Sequence, residues 1–143
     1  MRAKPYLQQA AYYRQRLKFF SEKIEELRTT METTGAIRYD KLDIQETLAT
    51  DPLLEHIVRL DELLRKFNEM NELYYEKLME IQDRINGVEN VLYRKILTYR
   101  YLEELSFEKI ADRMGYTFDY IRNAHARALL TFARQYTELL KSC

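Results

Sequence analysis

The chain has 143 residues, of which 46% are apolar, and it contains only three glycines and two prolines. This composition can supply a hydrophobic core and favours long helices, which argues against a disordered chain and against an all-β fold. Its 23 basic and 23 acidic residues cancel to a formal net charge of zero, which argues against an indiscriminate nucleic-acid binder.

A helical pattern covers residues 5–31 and begins at Pro5, a residue that suits the first turn of a helix. Its apolar residues alternate spacings of three and four, which is typical of a narrow coiled-coil seam. The seam comprises Ala10, Tyr13, Leu17, Phe20, Ile24, Leu27 and Met31.

Residues 29–51 interrupt this pattern. Thr33-Thr34-Gly35 predicts the end of one helix, and Asp51-Pro52 predicts the start of the next. The apolar residues between them are scattered. We therefore predict a connecting loop here, with at most one short helix near residues 44–49.

The longest predicted helix covers residues 52–86 and would be about 50 Å long. Its seam comprises Ile57, Leu60, Leu64, Phe67, Asn71, Tyr74, Leu78, Ile81, Ile85 and Val88. A helix of this length cannot bury its seam alone, so we expect a helical hairpin or coiled coil that also forms a homodimer. Asn71 either fixes the register of that pairing or lies at its edge and meets water.

Asn86-Gly87 predicts a hinge or a helix C-cap. We expect residues 1–89 to serve oligomerisation or partner binding and residues 90–143 to form a DNA-binding domain. The first part holds 14 basic and 17 acidic residues, and the second holds 9 and 6, so the basic excess lies in the second part. Asn90 is the expected N-cap of a helix over residues 91–101.

Residues 105–129 predict two short helices around a tight turn, a helix-turn-helix. Ser106 and Thr117 are the expected N-caps, and Gly115 can adopt the left-handed conformation that ends the first helix. Tyr116 is expected to fill the gap under the turn. Helical spacing predicts a buried face formed by Phe107, Ile110, Ala111, Met114, Ile121, His125, Ala128, Leu129 and Phe132.

The opposite face of the second helix suits the major groove of double-stranded DNA. Its candidate DNA-binding residues are Phe118, Asp119, Arg122, Asn123, Ala126 and Arg127. Arginine can read guanine, asparagine can read adenine, and alanine leaves room for a thymine methyl group. A second arginine one turn later can hold a phosphate. Asp119 either accepts from cytosine or orients Arg122, and Phe118 either touches a thymine methyl or braces the turn.

This segment resembles region 4 of bacterial sigma factors, which binds the promoter −35 element. The resemblance is carried by Leu97, Arg100-Tyr101, Leu105-Ser106, Glu108, Ile110-Ala111, Gly115, Thr117, Ile121-Arg122 and Arg127-Ala128-Leu129. It implies base contacts at Phe118, Asp119, Arg122 and Asn123. Phe118 departs from the pattern, because sigma factors usually have arginine there.

The layout of the whole chain resembles ArpU- and RinA-like late transcriptional regulators of phages of Gram-positive bacteria. A long helical N-terminal part precedes the sigma-like end in both. The resemblance implies a phage-encoded, sequence-specific DNA-binding regulator, with RNA polymerase as a further candidate partner.

Three other classes of protein are alternatives. An enzyme is disfavoured, because no metal-ligand cluster, phosphate loop or catalytic arrangement stands out, and no cofactor is expected. His125 should be packed and His56 should face solvent. A protein-interaction module for RNA polymerase, a sigma factor or a phage protein is a second alternative, and a small-terminase-like packaging protein is a third.

The remaining features predict an all-α cytoplasmic protein. No apolar run approaches the ~20 residues of a membrane span, and the first ten residues lack the apolar core of a signal peptide. The single cysteine, Cys143, cannot form an internal disulfide, which fits a reducing compartment.

Overall fold

A computed structural model describes residues 2–40 and 52–141 of the chain. Its helices are α1 (Ala3–Leu7), α2 (Gln9–Asp40), α3 (Pro52–Asn86), α4 (Val91–Leu97), α5 (Phe107–Met114), α6 (Phe118–Gln135) and α7 (Thr137–Lys141). A π-helical turn, Thr98–Leu102, continues α4. No strand occurs in the described residues, so the all-α prediction is confirmed.

None of the helices in residues 2–40 and 52–141 combines the length and the apolar character that a membrane span needs. The same residues contain no cluster of acidic, histidine or cysteine side chains that could hold a metal ion.

The chain forms two compact units, Met1–Arg14 with Leu73–Cys143, and Gln15–Glu72. This division by spatial contact differs from the predicted functional division at residue 89, because α1 and the end of α3 belong with the C-terminal helices. The assignment of oligomerisation or partner binding to residues 1–89 stays a prediction.

In the unit Gln15–Glu72, the seam of α2 has the predicted phase. Ile24 and Leu27 are buried, whereas Phe19, which lies off the seam, is exposed. The apolar spacing of three and four therefore identified the packed side of α2.

The seam of α3 is partly as predicted. Leu60, Leu64 and Asn71 are half-buried, but Ile57 is 47% exposed. His56 is half-buried in its place, so the expectation that it faces solvent is wrong. The packed side at the start of α3 thus joins His56 to Leu60, four residues apart, instead of Ile57 to Leu60, three apart, and both spacings bring residues to one side of a helix.

The predicted helix end at Thr33-Thr34-Gly35 is wrong, because α2 continues to Asp40. The threonine side chains of this stretch are bonded to the helix backbone. Those of Thr29, Thr30 and Thr33 each donate to the carbonyl oxygen four residues earlier, at 3.0, 3.0 and 3.1 Å. Threonine is thus accommodated inside the helix rather than ending it. The short helix predicted near residues 44–49 lies outside the described residues.

In the other unit, α1 packs against α6. Ala3, Tyr6 and Leu7 are buried, and the ring of Tyr6 stacks on Phe132 with 5.9 Å between centroids. The Tyr6 hydroxyl donates to Glu80 Oε1 of α3 at 2.7 Å. The first predicted helix is divided at Gln8 into α1 and α2, and Tyr136 separates α6 from α7. The C-terminal half of α6 is thus packed against α1.

Candidate nucleic-acid interface

The three helices of the candidate interface begin at the predicted caps. The Asn90 side chain accepts from the backbone N–H of Tyr93 at 3.1 Å, and Ser106 Oγ accepts from that of Lys109 at 3.3 Å. Thr117 Oγ1 accepts from the N–H of Tyr120 at 3.2 Å. Each cap satisfies a backbone donor that the first turn of a helix leaves free.

The turn between α5 and α6 is also as predicted. Gly115 has φ 76° and ψ 30°, which is the left-handed conformation, and its N–H bonds to the carbonyl oxygen of Ala111. Glycine adopts this conformation without a Cβ clash. The short turn lets α6 follow α5 closely.

A small core fixes α5 and α6 against α4. Its buried residues, all at most 3% exposed, are Ile96, Ile110, Ala111, Ile121 and Ala124. Ala111 belongs to the predicted buried face, and Ala124 is a second small buried residue, which the sequence pattern did not single out. The predicted buried faces of α5 and α6 are confirmed.

His125 extends this core, as predicted. It is 8% exposed, and its Nε2 is hydrogen-bonded to the Tyr101 hydroxyl at 2.7 Å. Burial, followed by the positive charges of Arg100 and Lys4, lowers the pKa of His125 from 6.5 to about 4. The imidazole is therefore neutral near pH 7 and belongs to the packing of α6.

Tyr116 does not fill the gap under the turn, and that prediction is wrong. It is 45% exposed, and its ring stacks on Tyr120 at 4.5 Å. Met114 and Leu92 pack against the small core instead. The stacked tyrosine pair is a surface feature that the sequence reading missed.

All six predicted DNA-binding residues are exposed on α6. Two of them, Arg122 and Asp119, are oppositely charged neighbours. Arg122 Nη2 and Asp119 Oδ1 lie 3.6 Å apart, which is too far for a hydrogen bond. Within the described part of the chain, neither Asn123 nor Arg127 has a side-chain hydrogen bond or ion pair. The polar groups of this face are thus available to a ligand.

Arg100 packs against the start of α5. Its guanidinium lies 4.2 Å from the ring centroid of Phe107. It also donates to the carbonyl oxygen of Leu105 at 3.1 Å. Arg100 therefore anchors the segment before α5 rather than offering charge to DNA.

Glu104 is the one non-glycine residue with positive φ, 55°, in the described ranges. Its carboxylate pairs with Arg14, which also donates to the Leu102 carbonyl oxygen at 3.2 Å and the Tyr74 hydroxyl at 3.0 Å. Arg14 thus holds the loop that precedes α5 from a position 90 residues away. No local sequence signal marks such a contact.

A comparison with known families adds to this geometry. Residues 93–131 match the family model for sigma-70, region 4. The match runs from α4 into α6 and includes the whole helix-turn-helix. It bears out the resemblance inferred from the sequence and indicates a DNA-binding helix-turn-helix. No curated protein and no solved structure matches the chain.

Proposed function

We propose that the chain is a sequence-specific DNA-binding transcriptional regulator that reads double-stranded DNA with α6. The observation that carries the proposal is the exposed polar face of α6 within the region-4-like segment, on which Arg122 and Asp119 lie 3.6 Å apart. In helix-turn-helix proteins the N-terminal part of the second helix enters the major groove. The caps at Ser106 and Thr117 and the turn at Gly115 hold α6 in place for that role.

Base reading falls to the first two turns of α6. The Arg122 guanidinium can donate two hydrogen bonds to O6 and N7 of guanine, and the Asn123 amide can pair with adenine. Asp119 either accepts from cytosine or orients Arg122, since its carboxylate lies 3.6 Å from the Arg122 guanidinium. Ala126 leaves room for a thymine methyl group, and Arg127 can hold a phosphate.

The charge balance implies that affinity depends on these base contacts. Residues 90–143 hold 9 basic and 6 acidic residues, and the whole chain has no net charge. Few phosphates can be neutralised, so binding to unrelated DNA should be weak and easily removed by salt.

The N-terminal part, residues 1–89, would form a homodimer or contact a partner such as RNA polymerase. Dimerisation would place two copies of α6 on two half-sites one helical turn apart, about 34 Å. The chain layout supports a phage or prophage origin of the ArpU and RinA type, acting in the cytoplasm. The solution mass would distinguish a dimer from the ring of a small-terminase-like protein.

The experiment compares two arginine variants after a DNA site has been selected from a random pool. Arg122→Ala should weaken binding to the selected site by about 1–3 kcal/mol and leave helicity unchanged. Arg65→Ala is the matched control. It removes an arginine of similar exposure, 69% against 60% for Arg122, that pairs with Asp61 one helical turn away in the unit Gln15–Glu72. Equal affinities for wild type and the Arg122 variant would remove Arg122 from the site.

A protein-interaction module is the second candidate function. The zero net charge and the exposed aromatic side chains of Tyr116, Phe118 and Tyr120 favour it. Under this alternative, selection from the random pool would yield no discrete site. Both arginine variants would then bind DNA from the pool no differently from wild type.

A further inference from the structure

Phe118 occupies an unusual place for an apolar side chain. It is the first residue of α6 and is 41% exposed. Its ring meets Phe107 edge to face, with 6.2 Å between centroids and an interplanar angle of 73°. The N-terminal end of the proposed reading helix therefore presents an aromatic ring to solvent.

The Phe118 ring packs on Phe107, which itself contacts His125 and Arg100. Phe107 is half-buried, its centroid lies 4.9 Å from the His125 ring, and the Arg100 guanidinium lies 4.2 Å from it. Phe107 therefore braces the start of α6. Phe118 contacts Phe107 edge to face and keeps 41% of its own surface exposed, which leaves it accessible to a ligand.

Phe118 and Arg122 are four residues apart and thus lie on the same side of α6, about 6 Å from each other along its axis. Base pairs are stacked about 3.4 Å apart. When Arg122 reads a guanine, Phe118 then faces a base edge one or two base pairs away. The thymine methyl is the apolar group that bases present in the major groove.

We infer that Phe118 reads the methyl group of a thymine one or two base pairs from the guanine that Arg122 contacts. This inference rests on the proposed function. The residue that departs from the region-4 pattern thereby gives this chain a preference of its own. An arginine at this position would favour guanine or phosphate, whereas a phenylalanine ring gains from contact with an apolar group.

Tyr120 provides a matched control on the same helix turn. It is 43% exposed, close to the value for Phe118, but it lies about 200° around the helix and its ring is stacked on Tyr116. Its substitution removes an aromatic ring of similar exposure from the other flank of α6.

The test replaces thymines of the selected DNA site, one at a time, by deoxyuridine, which lacks only the methyl group. Dissociation constants are measured by fluorescence anisotropy for wild type, Phe118→Ala and Tyr120→Ala. Wild type should lose about fourfold in affinity at one thymine, the effect of burying one methyl group. Phe118→Ala should show no such loss at that position, whereas Tyr120→Ala should retain the fourfold loss.

Two results would overturn the inference and leave the proposed function intact. One is a wild-type protein that binds every deoxyuridine site as tightly as the thymine site, a result that needs no variant to fold. The other is a penalty that persists in Phe118→Ala, which would assign the methyl contact to another residue such as Ala126. Failure to select any discrete site would instead overturn the proposed function, and this inference with it.

Discussion

The buried His125 predicts a specific dependence of stability on pH. Its pKa falls from 6.5 to about 4 because the imidazole is buried, with Arg100 and Lys4 as the nearby positive charges. Folding therefore favours the neutral ring. The stabilisation is fully present above pH 6.5, the value for the unfolded chain, and is lost as the pH falls toward 4.

The size of the effect follows from these two pKa values. Between pH 6.5 and pH 4 the unfolded chain binds a proton at this site that the folded chain does not bind. Each pH unit in that window costs about 1.4 kcal/mol of stability. Lowering the pH from 7 to 5 should thus reduce the free energy of unfolding by about 2 kcal/mol through His125 alone.

The assay is urea unfolding at pH 7 and pH 5, followed by circular dichroism, for wild type and His125→Gln. Glutamine does not titrate, and its amide can still pair with the Tyr101 hydroxyl. The variant is expected to lose about 2 kcal/mol less than wild type between the two pH values, because all other titrating groups are shared. An identical loss in the two proteins would refute the reasoning that the imidazole is held neutral.

Three further predictions concern the backbone and core of the helix-turn-helix. Gly115→Ala should lower stability by about 1 kcal/mol in thermal unfolding, because nothing lies within 4 Å of an added Cβ and the cost comes from its positive φ alone; an unchanged melting temperature would contradict that conformation. Glu104→Gly should be about 1 kcal/mol more stable than Glu104→Ala, since both lose the pair with Arg14 but only glycine relieves the positive φ; the reverse order would argue against strain at this residue. Ile110→Asp places a charge at a fully buried position and should unfold the helix-turn-helix. A variant with wild-type helicity and DNA binding would mean that the helix phase is wrong.

The features of the fold that depend on neighbouring residues were predictable from the sequence. Asn90, Ser106 and Thr117 each bond to a backbone N–H three residues on, and Gly115 supplies a local conformation. Helical spacing likewise identified the buried sides of α2, α5 and α6. Each of these signals depends on a few adjacent positions.

The features that the sequence predicted wrongly or missed depend on contacts between residues distant in sequence, or on weak local preferences. Arg14 reaches Glu104 across 90 residues, and α1 packs on Phe132. Tyr116 could enter the core or stack on Tyr120, and the choice depends on which side chains already fill that space. For Thr33-Thr34-Gly35 the helix penalty is small, so the surrounding structure decides whether the helix continues.

The sequence predicted which residues of the candidate site are exposed, but it did not predict what each of them does. Spacing along α6 placed its six candidate DNA-binding residues on the exposed side. The part played by Phe118 could not be resolved from the sequence, because it depends on the bracing of Phe107 by Arg100 and His125.

The most direct measurement is the selection of bound fragments from the source genome at moderate salt, with wild type and an Arg122→Ala, Asn123→Ala double variant. We predict that wild type enriches a discrete site, that the double variant does not, and that two-fold symmetry of the site reports a dimer. No enrichment by wild type, or the same enrichment by both proteins, would contradict sequence reading by α6.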